Sequence, residues 1–175
     1  GQIECCGTEL TGLSDAARRD FRIANVGLVF QDFALLDYLT VLDNILLPYR
    51  INRSLLLNET VSARAVQLAA NVGLDDLLSR RPTHLSHGER QRIAVCRALI
   101  ANPKVVLADE PTANLDEYNS SRVADALDQY VYRNGATLVV VSHDRDMTSR
   151  FDRMVNVSSF CKWQEATDGG FGDER

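Results

Sequence analysis

Three short apolar runs in this chain each end on a side chain able to do chemistry. Asn25 to Phe30 closes on Gln31 in NVGLVFQ, Val105 to Ala108 closes on Asp109 and Glu110 in VVLADEP, and Thr137 to Ser142 closes on His143. Strand-length runs of this kind read as strands buried on both faces. Segments of helical periodicity separate them, and that alternation implies a parallel α/β sheet. Ligands of open α/β sheets bind outside the carboxyl ends of the strands, which is where all three polar endings fall.

The rest of the chain fills in around these strands. Residues 1 to 13 read as a short hairpin with Gly7 and Gly12 at turns, and Ser14 caps a helix running to Arg19. Thr40 caps a helix over Val41 to Leu47, with Pro48 helping to end it, and Arg50 to Glu59 is a polar loop. Thr60 to Val72 places Val61, Ala65, Leu68, Ala69 and Val72 on one face, an amphipathic helix with Gly73 as its C-cap. Asp75 to Arg80 makes one more helical turn. Ser86 caps a helix from His87 to Ala101, which Asn102-Pro103 stops. A further helix spans Ser120 to Arg133, and Asn134-Gly135 turns the chain into the last strand. The segment after Phe160 is Gly-rich, polar and acidic, so residues 161–175 read as a flexible tail behind a domain of residues 1–160.

Composition bounds what such a chain can do. Hydrophobic residues at 45% and charged residues at 25% are those of an ordinary globular domain with a real core. A net charge of −5 argues against a nucleic-acid partner, whose phosphates demand clustered Lys and Arg. No apolar run approaches the roughly 18 residues of a membrane span, so a membrane role would come through a partner. Among Cys5, Cys6, Cys96 and Cys161 no pair has metal-ligand spacing, and the bland reading is reduced cytosolic thiols.

Asp109 at a strand end is placed to hold Mg²⁺, since hard cations take oxygen ligands, and Glu110 beside it is placed to orient and polarise an attacking water. The bland alternative is an acidic pair that merely ends a strand. Gln31 can reach the same metal and water through its amide. In LSHGERQR, Ser86 and Gly88 open a helix whose free N–H groups and positive dipole end suit phosphate oxygens. A plain capping box of Ser86 and Glu89 describes the same residues and is compatible with that use.

In order, VGLVFQ, LSHGERQR, VVLADEP, ANLD (Ala113 to Asp116) and VVVSHD (Val139 to Asp144) resemble the ATP-binding subunit of an ABC transporter. The resemblance covers roughly residues 1 to 157. DFALLDYLTVLDNILLP is similar to the branch serving lipoprotein release, macrolide export and cell division. The fold it implies is α/β, a P-loop NTPase (RecA-like) core with a parallel sheet, an N-terminal β hairpin remnant and an α-helical subdomain over about residues 32–99 that carries the signature.

The resemblance implies ATP and Mg²⁺ as ligands. It implies Glu110 and His143 as catalytic residues, the latter as the switch histidine at the γ-phosphate. Asp109 and Gln31 become metal ligands; Ser86, His87, Gly88 and Glu89 become the signature; Asp116 joins the loop that crosses between paired subunits. The usual signature is L-S-G-G-Q, so His87 and Glu89 are departures, His87 most simply a tolerated variant. His84 has no such support and reads as surface or packing. The implied partners are a second ATP-binding subunit, head to tail, and a transmembrane permease subunit coupled through a groove near Gln31. The implied location is cytoplasmic, peripheral on the inner face of the cell membrane.

One part of the pattern does not occur in these 175 residues, the G-x-x-x-x-G-K-[ST] phosphate loop. The chain opens on Gly1 inside a strand and turn, which reads as an incomplete or processed chain. The expectations are that it neither hydrolyses ATP nor binds it tightly alone, and that apolar surface near Val105 to Ala108 stands uncovered. Two other readings compete. One is a non-catalytic module that offers its signature face in trans; intact Glu110 and His143 weigh against it. The other is a DNA-repair or chromosome-maintenance ATPase, disfavoured because no sustained heptads lie between Gln31 and Ser86.

Overall fold

The structure is a computed structural model that describes residues 1–113, 115–143 and 149–159. The chain divides into two units, Gly1–His143 and Asp144–Arg175. In the second, a 3₁₀ turn spans Val157–Ser159. The expected tail over residues 161–175, Cys161, Asn114 of ANLD and Asp144 of VVVSHD lie outside the described residues.

The first unit opens with a hairpin, β1 (Glu4–Cys5) against β2 (Thr8–Glu9), turned by Cys6 and Gly7 at φ 51° and 74°. Helix α1 (Asp15–Asn25) starts where Ser14 accepts the Ala17 N–H, as expected, but runs past Arg19 to Asn25. It buries no residue fully. The segment is rich in charge (DAARRDFRIAN), and only its start signal was read. Strand β3 (Val26–Val29) follows directly.

Beyond β3 come α2 (Val41–Ile45), capped by Thr40, and α3 (Leu47–Ile51). Pro48 does not end a helix here; it lies in the first turn of α3, where its missing N–H costs nothing. Helix α4 (Glu59–Asn71) is capped by Asn58, and 3₁₀ turns at Asp75–Leu77 and Pro82–His84 lead to α5 (His87–Leu99). Strand β4 (Val105–Asp109), helix α6 (Glu117–Asn134) and strand β5 (Thr137–Val141) complete the unit. Helix α6 starts earlier than Ser120 because Asp116 caps it, accepting the Asn119 N–H; Gly135 ends it in the left-handed conformation at φ 59°.

The three longer strands form one parallel sheet in the order β3-β4-β5. Val26 lies opposite Val105, Ala108 opposite Val140 and Asp109 opposite Val141. Because side chains alternate along a strand, one face carries Val29, Val106 and Ala108 into a core with Val95, Ala98 and Leu99 of α5 and Val123, Leu127 and Tyr130 of α6. The Tyr130 hydroxyl donates to the Pro103 carbonyl at 2.9 Å, fixing α6 over the entry to β4.

The other face differs from expectation. Leu107, Val139 and Val141 are 40%, 49% and 60% exposed, so these strands are buried on one face among the described residues. The open surface near Val105 to Ala108 is thus a sheet face, not a strand edge, since β4 is hydrogen-bonded on both sides.

A second core gathers Val41 and Ile45 of α2, Val61, Ala65 and Ala69 of α4, and Ile93, Cys96 and Ile100 at the end of α5. Helix α5 therefore feeds both cores from opposite sides. Asn44, fully buried, organises the approach to α2 by accepting the Leu36 N–H at 2.8 Å and donating to the Leu36 and Thr40 carbonyls at 3.0 Å each.

Candidate functional site

Parallel register sets the carboxyl ends of three adjacent strands side by side. Gln31 stands two residues beyond β3, Asp109 ends β4 with Glu110 next, and His143 stands two residues beyond β5. Gln31 and Asp109 are exposed. Asp109 has no hydrogen-bond or ion-pair partner for its carboxylate among the described residues.

Glu110 is built differently. Its backbone takes the left-handed conformation at φ 46°, a cost of roughly 1–3 kcal/mol for a residue with a Cβ. That turn is held because its N–H donates to the Val141 carbonyl at 2.9 Å. Its carboxylate accepts the His143 backbone N–H at 2.9 Å and the Ser142 hydroxyl at 3.2 Å. The His143 imidazole, almost wholly exposed, brings Nε2 within 3.7 Å of the same carboxylate. One carboxylate is thus fixed at the junction of two strands while its neighbour stays open to solvent. That pairing suits a fixed group that orients water beside a free oxygen ligand for a divalent cation.

Mg²⁺ is ordinarily held by one or two carboxylates together with substrate phosphates and water. An exposed Asp109 and a Gln31 amide fit that sparse donor set. No three His, Cys, Asp or Glu side chains are grouped to hold a metal among the described residues.

The second group begins at the start of α5. Ser86 and Glu89 form a full capping box: Glu89 N–H to the Ser86 Oγ at 3.3 Å, Ser86 N–H to the Glu89 carboxylate at 2.7 Å. The Ser86 hydroxyl also donates to that carboxylate at 2.8 Å. Desolvation alone would raise the Glu89 carboxyl, but the Ser86 hydroxyl and N–H outweigh it and hold the group below its ordinary 4.5. The helix start therefore keeps Ser86's donors internally engaged. A Cβ on Gly88 would stand 3.3 Å from Leu115 Cδ2, so a side chain there would press the end of Leu115 in the ANLD segment aside by a few tenths of an ångström.

Among the described residues no hydrogen bond or ion pair joins Ser86 or His87 directly to Gln31, Asp109, Glu110 or His143. Three contacts that sequence reasoning missed connect the groups instead. Gln91, nearly fully buried, donates to the Pro111 carbonyl at 2.7 Å, tying α5 to the residue after Glu110. Arg92 donates to the Asn119 side chain, whose amide donates to Asp116. The Asn119 N–H first, then its side-chain amide, hold the Asp116 carboxyl below its ordinary value.

The third contact is Arg97, which donates to the Phe33 carbonyl and, at 2.6 Å, to the Ala34 carbonyl. Phe33 and Ala34 are both left-handed, at φ 62° and 45°, so the guanidinium clamps a strained turn just after Gln31. Burial lowers Arg97 from its ordinary value and Asp32 opposes that shift. The His87 ring packs edge-on against Phe33 with centroids 4.5 Å apart, which gives this departure from the usual signature a packing partner on the Gln31 loop. The signal for Arg97 was present, a lone charge inside the apolar run IAVCRALI. A buried charge must find partners, and sequence does not say which.

Comparison with known proteins gives consistent likenesses. Residues 1–113 match the family model described as ABC transporter. The chain is 39% identical over 157 residues to the lipoprotein-releasing system ATP-binding protein LolD of Rhodopseudomonas palustris, covering 90% of this chain and 67% of that protein. It is 40% identical over 158 residues to the LolD of Ruegeria pomeroyi, covering 90% of this chain and 68% of the relative. Among solved structures, the dimeric post-hydrolysis state of the ATP-binding cassette MJ0796 bound to ADP and Pi matches with a TM-score of 0.78 at 32% identity. That match covers 86% of this chain and 66% of the other, so the chain spans about two thirds of the length of these relatives.

Proposed function

Since the chain belongs to the ABC transporter family, we propose that it is part of an ATP-binding subunit that powers lipoprotein release or a related export through a transmembrane permease. The observation that carries this is the carboxylate of Glu110, fixed by Ser142 and His143 at the junction of β4 and β5 beside an unengaged Asp109. Glu110 orients the attacking water and accepts its proton. Asp109 and Gln31 take the Mg²⁺, which supplies charge neutralisation on the phosphate oxygens. His143 donates toward the γ-phosphate. Ser86 and Gly88 face the nucleotide of a second subunit in a head-to-tail pair, and Asp116 lies on the loop between the two. The likeness to a dimeric cassette supports that pairing.

The permease side reads from a cavity of about 230 Å³ lined by Phe30, Leu47, Pro48, Ile51 and Arg97. It is largely apolar and lies against the clamped Gln31 loop, which suits a short amphipathic helix of the partner. The proposed location is cytoplasmic, on the inner face of the membrane through that partner. No described helix is long and apolar enough to cross a membrane.

The polypeptide of these 175 residues, tested alone, is expected to show no ATP turnover, because it contains no glycine-rich nest and lysine for the β- and γ-phosphates. Placing the phosphate-loop segment of the Rhodopseudomonas palustris relative ahead of Gly1 is expected to create turnover. Glu110→Gln in that chimera is expected to remove it by about a hundredfold or more. A folded chimera that binds ATP without turning it over would contradict the catalytic role. It would leave the second reading, a module that supplies Ser86 and Gly88 in trans.

A further inference from the structure

Cys5 ends β1 and Cys6 begins the turn of the β1–β2 hairpin, and neither belongs to the candidate site. Cys6 is exposed and Cys5 half-buried, and neither is in a disulfide. Their sulfurs face each other at 3.7 Å, close enough for one thiol to donate to the other. Adjacent residues ordinarily splay their side chains apart. Here Cys6 is left-handed, at φ 51°, and the two sulfurs meet instead.

That separation discriminates between the fates open to two thiols. A disulfide normally joins Cα atoms about 4.4–6.8 Å apart. Neighbours across a trans peptide stand only about 3.8 Å apart, and no described peptide bond is cis. Closing a disulfide here would force the hairpin out of shape. A single atom bridging both sulfurs asks for no such change. A tetrahedral centre with bonds of about 2.3 Å to sulfur needs its two sulfurs about 3.8 Å apart, and a pyramidal centre slightly less.

The missing additional ligands narrow the bridging atom further. Zinc wants three or four protein ligands, and no grouping of three His, Cys, Asp or Glu exists among the described residues. What fits is a thiophilic centre that takes two sulfurs and brings its remaining substituent with it. We propose that Cys5 and Cys6 form a two-thiol chelating site for monosubstituted trivalent arsenicals. Two sulfur–arsenic bonds form, the arsenic–oxygen bond breaks, and the oxygen leaves as water with both thiol protons. Arsenic stays trivalent, so no oxidant or reductant is consumed.

The test uses phenylarsine oxide and intact-mass spectrometry on the full chain. The expected result is one adduct per chain that survives a monothiol wash and is released by a vicinal dithiol. The adduct is expected to be lost in Cys5→Ser and in Cys6→Ser, both on an exposed hairpin, and kept in Cys161→Ser. Cys96, fully buried with its thiol pushed up to about 12, serves as the unreactive internal standard. A wash-resistant adduct on Cys5→Ser or Cys6→Ser, its loss in Cys161→Ser, or no adduct on the unaltered chain would overturn the proposal.

Discussion

At the scale of the residue, close contact decides more than chemical type. Gly27 on β3 faces α5, and a Cβ there would press on the Ala98 carbonyl oxygen and stand 3.0 Å from Pro103 Cγ. Backbone cannot yield as a flexible side chain does. Gly27→Ala is expected to destabilise the fold by about 1–3 kcal/mol, read as a lowered midpoint in denaturant titration; an unchanged midpoint would show that α5 can back away. The residues at the strand ends were legible because a strand's carboxyl end is fixed by where its apolar run stops, so Gln31, Asp109 and His143 stand at or just beyond the ends of three adjacent parallel strands. Gln91, Arg97 and Phe33 were not. Each acts through a partner from 20 to 64 positions away, Gln91 through Pro111 and Arg97 through Phe33, and no local pattern encodes such a pairing.

At the scale of the element, some helix ends were legible and others were not. Ser14, Thr40 and Ser86 start helices and Gly135 ends one where their chemistry predicts, whereas α6 began before its expected start, α1 outran its expected end and Pro48 opened a helix instead of closing one. A proline stops the helix behind it and suits the first turn of the helix ahead, so sequence alone left its direction open. The capping box of α5 gives a pH signature. Glu89's folded carboxyl lies below its ordinary 4.5, so its contribution is complete above that value and is lost as pH falls through the lower folded one. Glu89→Gln, which keeps the box, is expected to flatten that part of the acid decline in thermal stability. Ser86→Ala, which breaks it, is expected to cost about 0.5–2 kcal/mol at neutral pH. An acid profile unchanged by Glu89→Gln would mean the box contributes no linkage.

At the scale of the molecule, the open sheet face governs behaviour in solution. Leu107 and Val139 pair across β4 and β5 on that face, with Val141 beyond them. A contiguous apolar patch of this kind drives association. The isolated chain is expected to self-associate with rising concentration in sedimentation velocity, and Leu107→Thr with Val139→Thr to shift it toward monomer without loss of helix signal. A chain that is monomeric throughout, before any substitution, would show the patch too small to matter. The parallel sheet and its order of ligand-bearing ends were readable from three apolar runs; which face lay bare was not, because an apolar run looks the same whether one face or two is covered.

Helix α5 has a further consequence. Ile93 and Cys96 lock into one core while Val95 and Leu99 lock into the other. A rod gripped from both sides leaves neither core a private way to melt. The two regions share one breaking point, and slow amide exchange along α5 is expected to report a single opening event for both.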